Sequence, residues 1–198
     1  MTDLASDLRR IYGDDPHLLA EQEARYARGL AAFAARYGPG EALVFHAPGR
    51  VNLIGEHTDY NHGYVLPMAL DKDVLLFARP RADATARLAN IEPDFAPREF
   101  VISGEIAHQP VGDWANYAQG PAQLLAQEYG PGLRGFDALV DGAPPYGVPR
   151  GAGLSSSSAL TVAAATALVA INGLPLSGAA LADACGRALR FSGSPVGG

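Results

Sequence analysis

Glu56, His57, Thr58, Asp59, Tyr60, Asn61 and His62 follow one another between two apolar runs, just after a Pro48-Gly49-Arg50 turn. Carboxylates such as Glu56 and Asp59 accept hydrogen bonds in pairs, which is what the vicinal hydroxyls of a sugar offer. A site built on such hydroxyls discriminates strongly, because an analogue lacking one leaves a buried carboxylate unpaired. Arg50, on the preceding turn, is placed to stabilise charge at a reacting phosphoryl group. Two other readings stay open on these residues alone. Asp59 and Asn61 are common turn formers, with Glu56 and His57 as solvated neighbours. His57, Asp59 and His62 could instead be metal ligands, although a loop this short brings no distant His pattern to complete a site.

A second chemical stretch, PRGAGLSSSSAL, runs from Pro149 to Leu160. Gly151 and Gly153 let the main chain approach an anion closely, and an uncharged helical run follows, whose first amides and dipole favour negative charge. The hydroxyls of Ser155, Ser156 and Ser157 can donate to phosphate oxygens or ligate magnesium. No Gly-Lys-Ser/Thr follows, so this is not a Walker-type loop. Serines that cap a buried helix, with glycines making the turn, are the competing account.

The elements that must hold these two stretches can be read from periodicity. Asp14, Asp15 and Pro16 signal a helix start, and apolar residues recur at helical spacing until Gly38 and Pro39 stop the run. Residues 1–41 thus read as an N-terminal helical segment, and 42–198 as the main domain. From Ala42 the pattern changes to short apolar runs, ALVFHAP, GYVLPMAL, DVLLFARP, TARLAN, REFVI and GFDALV, which read as strands. A second helix is expected from Asp113, carrying Trp114 and Tyr117, and a third from the serines at 155 to Asn172. The fold class is mixed α/β.

Composition excludes several functions. With 21 acidic against 15 basic side chains the net charge is −6, and the arginines are scattered, so a nucleic-acid partner is not expected. The uncharged run from Leu154 to Ile171 opens with four serines and is shorter than a membrane span, so it reads as a buried helix. One cysteine, Cys185, and a polar amino terminus without an apolar core predict a cytoplasmic protein without disulfides.

Together the two stretches are specific. APGRVNLIGEHTDYNHGYVLPMAL, from Ala47 to Leu70, resembles the galactokinase signature, and PRGAGLSSSSAL resembles the second, ATP-binding motif of the GHMP kinase superfamily. DWANYAQG at 113–120 is similar to a further galactokinase segment. The resemblance implies transfer of the γ-phosphoryl group of MgATP to the anomeric hydroxyl of α-D-galactose. It implies that Glu56, His57, Thr58 and Asp59 hold the sugar, Asp59 toward the ring hydroxyls and Glu56 toward the primary one. Gly151, Ala152, Gly153, Leu154, Ser155, Ser156 and Ser157 would wrap the ATP phosphates, Ser157 would ligate Mg2+, and Arg50 would be the catalytic cation. Trp114 and Tyr117 would border the adenine or belong to the core. The implied fold is the two-domain GHMP kinase α/β (α+β) fold, its N-terminal half like the second domain of ribosomal protein S5. That half contains a left-handed crossover, where chain pattern alone predicts a right-handed one.

The same resemblance marks departures. The family's magnesium-binding glutamate falls in the helix after the Leu174-Pro175-Leu176 turn, where this sequence reads Arg187, Ala188, Leu189 and Arg190. Its catalytic aspartate would fall just beyond Gly198, and the C-terminal domain with the third motif is not in the sequence. A general base contributes about 10² to 10⁴ in rate, so this chain by itself is expected to be a crippled, incomplete kinase. The third helix is expected to expose the apolar face that would pack on the missing half. A non-catalytic galactose and ATP sensor, or an inactive remnant, is the alternative.

Overall fold

The computed structural model describes residues 4–55 and 63–192. Helix α1 (Leu4–Tyr12) precedes the expected α2 (Pro16–Tyr37). Asp15 caps α2, its Oδ1 accepting from the amides of His17 at 2.9 Å and Leu18 at 3.4 Å, and Pro16 fills the first turn, where a missing N–H costs nothing. Asp15→Ala should lower the unfolding free energy by about 1 kcal/mol, read from urea unfolding.

Strands β1 (Leu43–Ile54), β2 (Leu66–Pro80), β3 (Thr85–Asn90), β4 (Arg98–Val101) and β5 (Phe136–Asp141) form one sheet in the order β1-β2-β5-β3-β4. All neighbours are antiparallel except β3 and β5, which are parallel. Two expectations are corrected here. GYVLPMAL and DVLLFARP are one strand, not two. Pro67 is tolerated in β2 because, among the described residues, β5 pairs only with residues 75–80, leaving the Pro67 end bonded on one side, to β1. The Pro48-Gly49-Arg50 turn is also absent: β1 runs straight through it, and the register jumps from Pro48↔Asp73 to Arg50↔Ala69. A chain irregularity, not a reversal, absorbs the proline.

Alternation along β2 builds both faces of the core. Val74, Leu76 and Ala78 point to one side, with Leu88 and Val140, and Leu75 and Phe77 to the other, with Ala89 and Leu139. Helices α1 and α2 cover the second face through Leu8, Tyr26 and Phe33. The first face carries α3 (Asn116–Tyr129), α4 (Ser156–Asn172) and α5 (Gly178–Leu189). A strand buried on both faces reads as a continuous apolar run, which is why DVLLF shows no alternation in sequence.

Helix α3 begins at Asn116, three residues after the expected start, because Asp113 is spent on a preceding turn. Its Oδ1 accepts from Ala115 N at 3.0 Å, and its carbonyl from Asn116 N at 3.2 Å. The expected exposed apolar face of α4 is not found. Leu160, Ala164, Leu168 and Ile171 are buried under α3, α5 and the sheet, and Val162, 36% exposed, is the large apolar side chain of α4 that faces solvent most. Exposed apolar side chains gather instead at the far end of the β1–β2 ribbon, at Leu53, Ile54, Leu66 and Met68.

Candidate functional site

The glycine-serine stretch folds into a loop whose backbone is unusual at three positions: Gly151 (φ 68°), Gly153 (φ 72°) and Ser155 (φ 58°). A Cβ at Gly151 or Gly153 would meet no atom within 4 Å, so the main chain there is open to approach. Ser155 occupies the N-cap of α4 in the left-handed region, and its side chain makes no capping hydrogen bond. The capping account of the serines is therefore not what the loop does; the first-turn amides stay free of a side-chain cap, as an anion site requires.

The loop is fastened to β1 at the irregularity. The amide of Arg50 donates to Leu154 O at 3.1 Å. At Gly49 a Cβ would lie 2.9 Å from Val148 Cγ1 and 3.0 Å from Leu154 O, so only glycine fits without displacing the loop. Two stretches a hundred residues apart in sequence are thus one contact in the fold.

Beside this junction lies a cavity of about 370 Å³. Gly151, Ser156 and Ser157 line one side. Phe95, Trp114 and Tyr117 form an aromatic wall, and Val74, Val140 and Val148 add apolar surface. Trp114 belongs to the core and also edges the cavity: it is 7% exposed, with Nε1 donating to Ala96 O at 3.1 Å, and its ring lies beside Phe95 at 6.0 Å between centroids. Asn90, Glu92 and Arg150 complete the lining. Sequence reasoning missed these three. Arg150 was legible, because it directly precedes Gly151, whereas nothing local marks Asn90 or Glu92.

On the opposite face of the sheet, a buried ionic cluster lies beneath the cavity floor. Val74, Val140 and Gly142 line the cavity, while their sequence neighbours Asp73 and Asp141 turn toward α2. Arg25, 3% exposed, donates to Asp73 Oδ1 at 2.6 Å, to Asp141 Oδ2 at 3.1 Å and to Asp141 O at 3.1 Å. Asp73 also accepts from Tyr12 OH at 2.5 Å and faces His46 Nε2 at 3.0 Å. Its amide donates to Tyr146 O at 3.0 Å, and the Tyr146 hydroxyl donates to Glu21, so α2 and β2 together grip the segment leading into the glycine-serine loop.

Burial alone raises the Asp73 carboxyl, but His46, Arg25 and Tyr12 outweigh it and hold the group below the usual carboxylate range. A carboxylate depressed on folding adds stability above its unfolded value, near pH 4, and loses it as pH falls further. Tyr12 is shifted the other way, upward, by burial and then by the charge and hydrogen bond of Asp73. Its contribution is complete below about pH 10 and is lost above, where the unfolded chain ionises. Urea midpoints should therefore fall on both limbs. Tyr12→Phe should make the alkaline limb shallower, with Tyr26 and Tyr37, also raised by burial, supplying the remainder.

Of the expected site residues, Gly151, Ser156 and Ser157 line the cavity. Ala152, Gly153, Leu154 and Ser155 belong to the same loop but not to the lining, and Arg50 reaches the loop through its amide. Glu56, His57, Thr58, Asp59 and His62 lie outside the described residues, as does the stretch 193–198. Arg187 and Arg190, where a magnesium-binding glutamate was expected, sit at the end of α5, and Arg187 pairs with Glu128 at 2.5 Å and Asp183 at 2.9 Å. Among the described residues no three His, Cys, Asp or Glu side chains gather as a metal site, and no helix is long and apolar enough to cross a membrane.

Residues 31–80 match the galactokinase galactose-binding signature, and residues 116–198 match the GHMP kinase N-terminal domain. The structure resembles that of Lactococcus lactis galactokinase complexed with galactose, with 29% identity and a TM-score of 0.77 over 87% of this chain and 44% of that one. Methanococcus jannaschii mevalonate kinase shares the fold at 18% identity and a TM-score of 0.62, over 77% of this chain and 47% of that one. So does Streptococcus pneumoniae phosphomevalonate kinase, at 18% identity and a TM-score of 0.55, over 74% of this chain and 42% of that one. The chain spans less than half the length of these three kinases. The match to the galactose-binding signature covers β1 and β2, and the match to the GHMP kinase N-terminal domain covers the loop bonded to β1, so the chain is similar to galactokinases in both its motifs and its fold.

Proposed function

We propose that this chain is the galactose- and ATP-binding N-terminal portion of a galactokinase, which phosphorylates α-D-galactose to galactose 1-phosphate. In this reading residues 1–41 are a helical segment seated on the domain formed by 42–198, and the protein works in the cytoplasm. The observation that carries it is the hydrogen bond from Arg50 N to Leu154 O, at 3.1 Å, which ties the galactose-binding strand to the loop beside the cavity. A sugar held next to Arg50 and a phosphate held by the loop would then be neighbours.

The donor set fits a nucleotide phosphate. The free first-turn amides of α4, the open backbone at Gly151 and Gly153 and the hydroxyls of Ser156 and Ser157 all present hydrogen-bond donors to one anion. Glu56, His57, Thr58 and Asp59 orient the sugar by accepting from and donating to its hydroxyls. Arg50 stabilises the charge that develops on the transferring group. Ser157 is the group that would hold Mg2+, together with the nucleotide's own oxygens. Magnesium supplies neutralisation of phosphate charge when bound. Trp114 and Tyr117 offer an apolar aromatic wall suited to a purine ring.

Calorimetric titration of the chain with galactose and with MgATP tests the binding half. Saturable binding of both is expected, and Asp59→Ala should weaken galactose by at least about tenfold, because a carboxylate's paired hydrogen bonds are lost. Failure to bind either ligand would sink the reading. Formation of galactose 1-phosphate by a form spanning the full kinase fold separates an enzyme from a ligand-binding sensor.

A further inference from the structure

At the rim of the cavity three side chains meet that phosphate wrapping by the loop leaves unused. Arg150 stands immediately before Gly151, and its Nη2 donates to Glu92 Oε2 at 2.9 Å. Its guanidinium lies over the Phe95 ring, 4.6 Å from the centroid, and all three residues line the cavity. The Glu92 amide is held in turn by Asn90 Oδ1 at 2.9 Å, so the carboxylate is carried on a fixed turn. We propose that Arg150 is a phosphate-reading residue that exchanges partners, leaving Glu92 for a phosphate oxygen of the bound nucleotide, while Glu92 limits affinity until that exchange occurs. This rests on the nucleotide reading of the same cavity.

Three physical points carry it. The Arg150 side chain is 51% exposed, and an ion pair that wet contributes little, so breaking it costs little. A guanidinium is a planar fork of five donors that matches phosphate, and one hydrogen bond to Glu92 leaves donors to spare. Stacking on Phe95 keeps that plane oriented in the unbound protein, so less freedom is lost when the anion arrives. Glu92, 17% exposed at the same rim, would repel a polyphosphate as soon as its partner turned away. The arrangement therefore favours nucleotides by their phosphate charge and sets its own opposing term.

The test is titration of the 198-residue chain and its variants with MgATP and with adenosine, folding being checked by circular dichroism. Arg150→Gln should weaken MgATP by about tenfold or more, as expected for a lost charge-assisted hydrogen bond, and leave adenosine unchanged. Arg150→Lys should recover part of the loss. Glu92→Gln should act in the opposite direction, tightening MgATP a few-fold. Equal weakening of both ligands by Arg150→Gln would make Arg150 a support for the aromatic wall and overturn the proposal. So would Glu92→Gln weakening MgATP as Arg150→Gln does. If the wild type binds MgATP and Arg150→Gln binds it equally well, this inference alone fails; if the wild type binds neither ligand, the nucleotide reading fails with it.

Discussion

Arg25→Ala is expected to destabilise the chain by about 3 to 5 kcal/mol, the cost of leaving buried charges without their partner. Asp73 and Asp141 are 1% and 4% exposed, and Arg25 is the cation that hydrogen-bonds both. For a chain of this size that loss would lower the melting temperature by roughly 6 to 20 °C. Urea unfolding at several pH values is the measurement. Without Arg25 the Asp73 carboxyl loses one of the groups that hold it below the usual carboxylate range, so its proton affinity in the folded protein should rise and the deficit should shrink as pH is lowered toward 4. Arg25→Lys keeps the charge but loses the fork that spans Asp73, Asp141 and the Asp141 carbonyl, and should fall between. A loss under about 1 kcal/mol for Arg25→Ala would mean that water or His46 compensates the cluster. Because the cluster lies under Val74, Val140 and Gly142, Arg25→Ala should also weaken MgATP binding.

Arg50→Ala should cost about 3 kcal/mol of transition-state stabilisation, a drop in kcat on the order of 10²-fold, by analogy with removing one preorganised donor from a developing charge. The substitution isolates the side chain. The contact that anchors the loop is made by the backbone amide of residue 50 to Leu154 O, and alanine keeps it. Nucleotide affinity should therefore change little while phosphoryl transfer collapses, measured as galactose 1-phosphate formed by a form that spans the full kinase fold. Unchanged kcat with weakened ATP binding would remove Arg50 from the chemistry and make it a binding residue.

Local signals were legible in the sequence where one physical term dominates. Asp15-Pro16 specified the start of α2, because a carboxylate cap and a proline without an N–H suit the same turn. TARLAN, REFVI and GFDALV gave strands within a residue or so of β3, β4 and β5. Where two terms compete, local reading failed. Pro48-Gly49-Arg50 has turn chemistry, yet β1 continues through it because Gly49 packs against Val148 and Leu154 from a distant loop. Likewise Pro67 should end a strand, and does not, because among the described residues its end of β2 bonds only to β1.

The glycine-serine loop and the galactose-binding signature were written in the order of residues, since backbone freedom, hydroxyls and carboxylates are properties of the residue types themselves. The likeness to galactokinases and the mixed α/β class followed from those motifs. Tertiary structure alone decided which distant groups meet. Arg25 reads in sequence as one more helical arginine; folding takes it out of water and places it between Asp73 and Asp141, 48 and 116 residues away. Glu92 and Arg150, 58 residues apart, become partners only because β3 and the glycine-serine loop border the same cavity. Such pairings depend on sheet order and on which face a side chain turns to, and no local propensity encodes either.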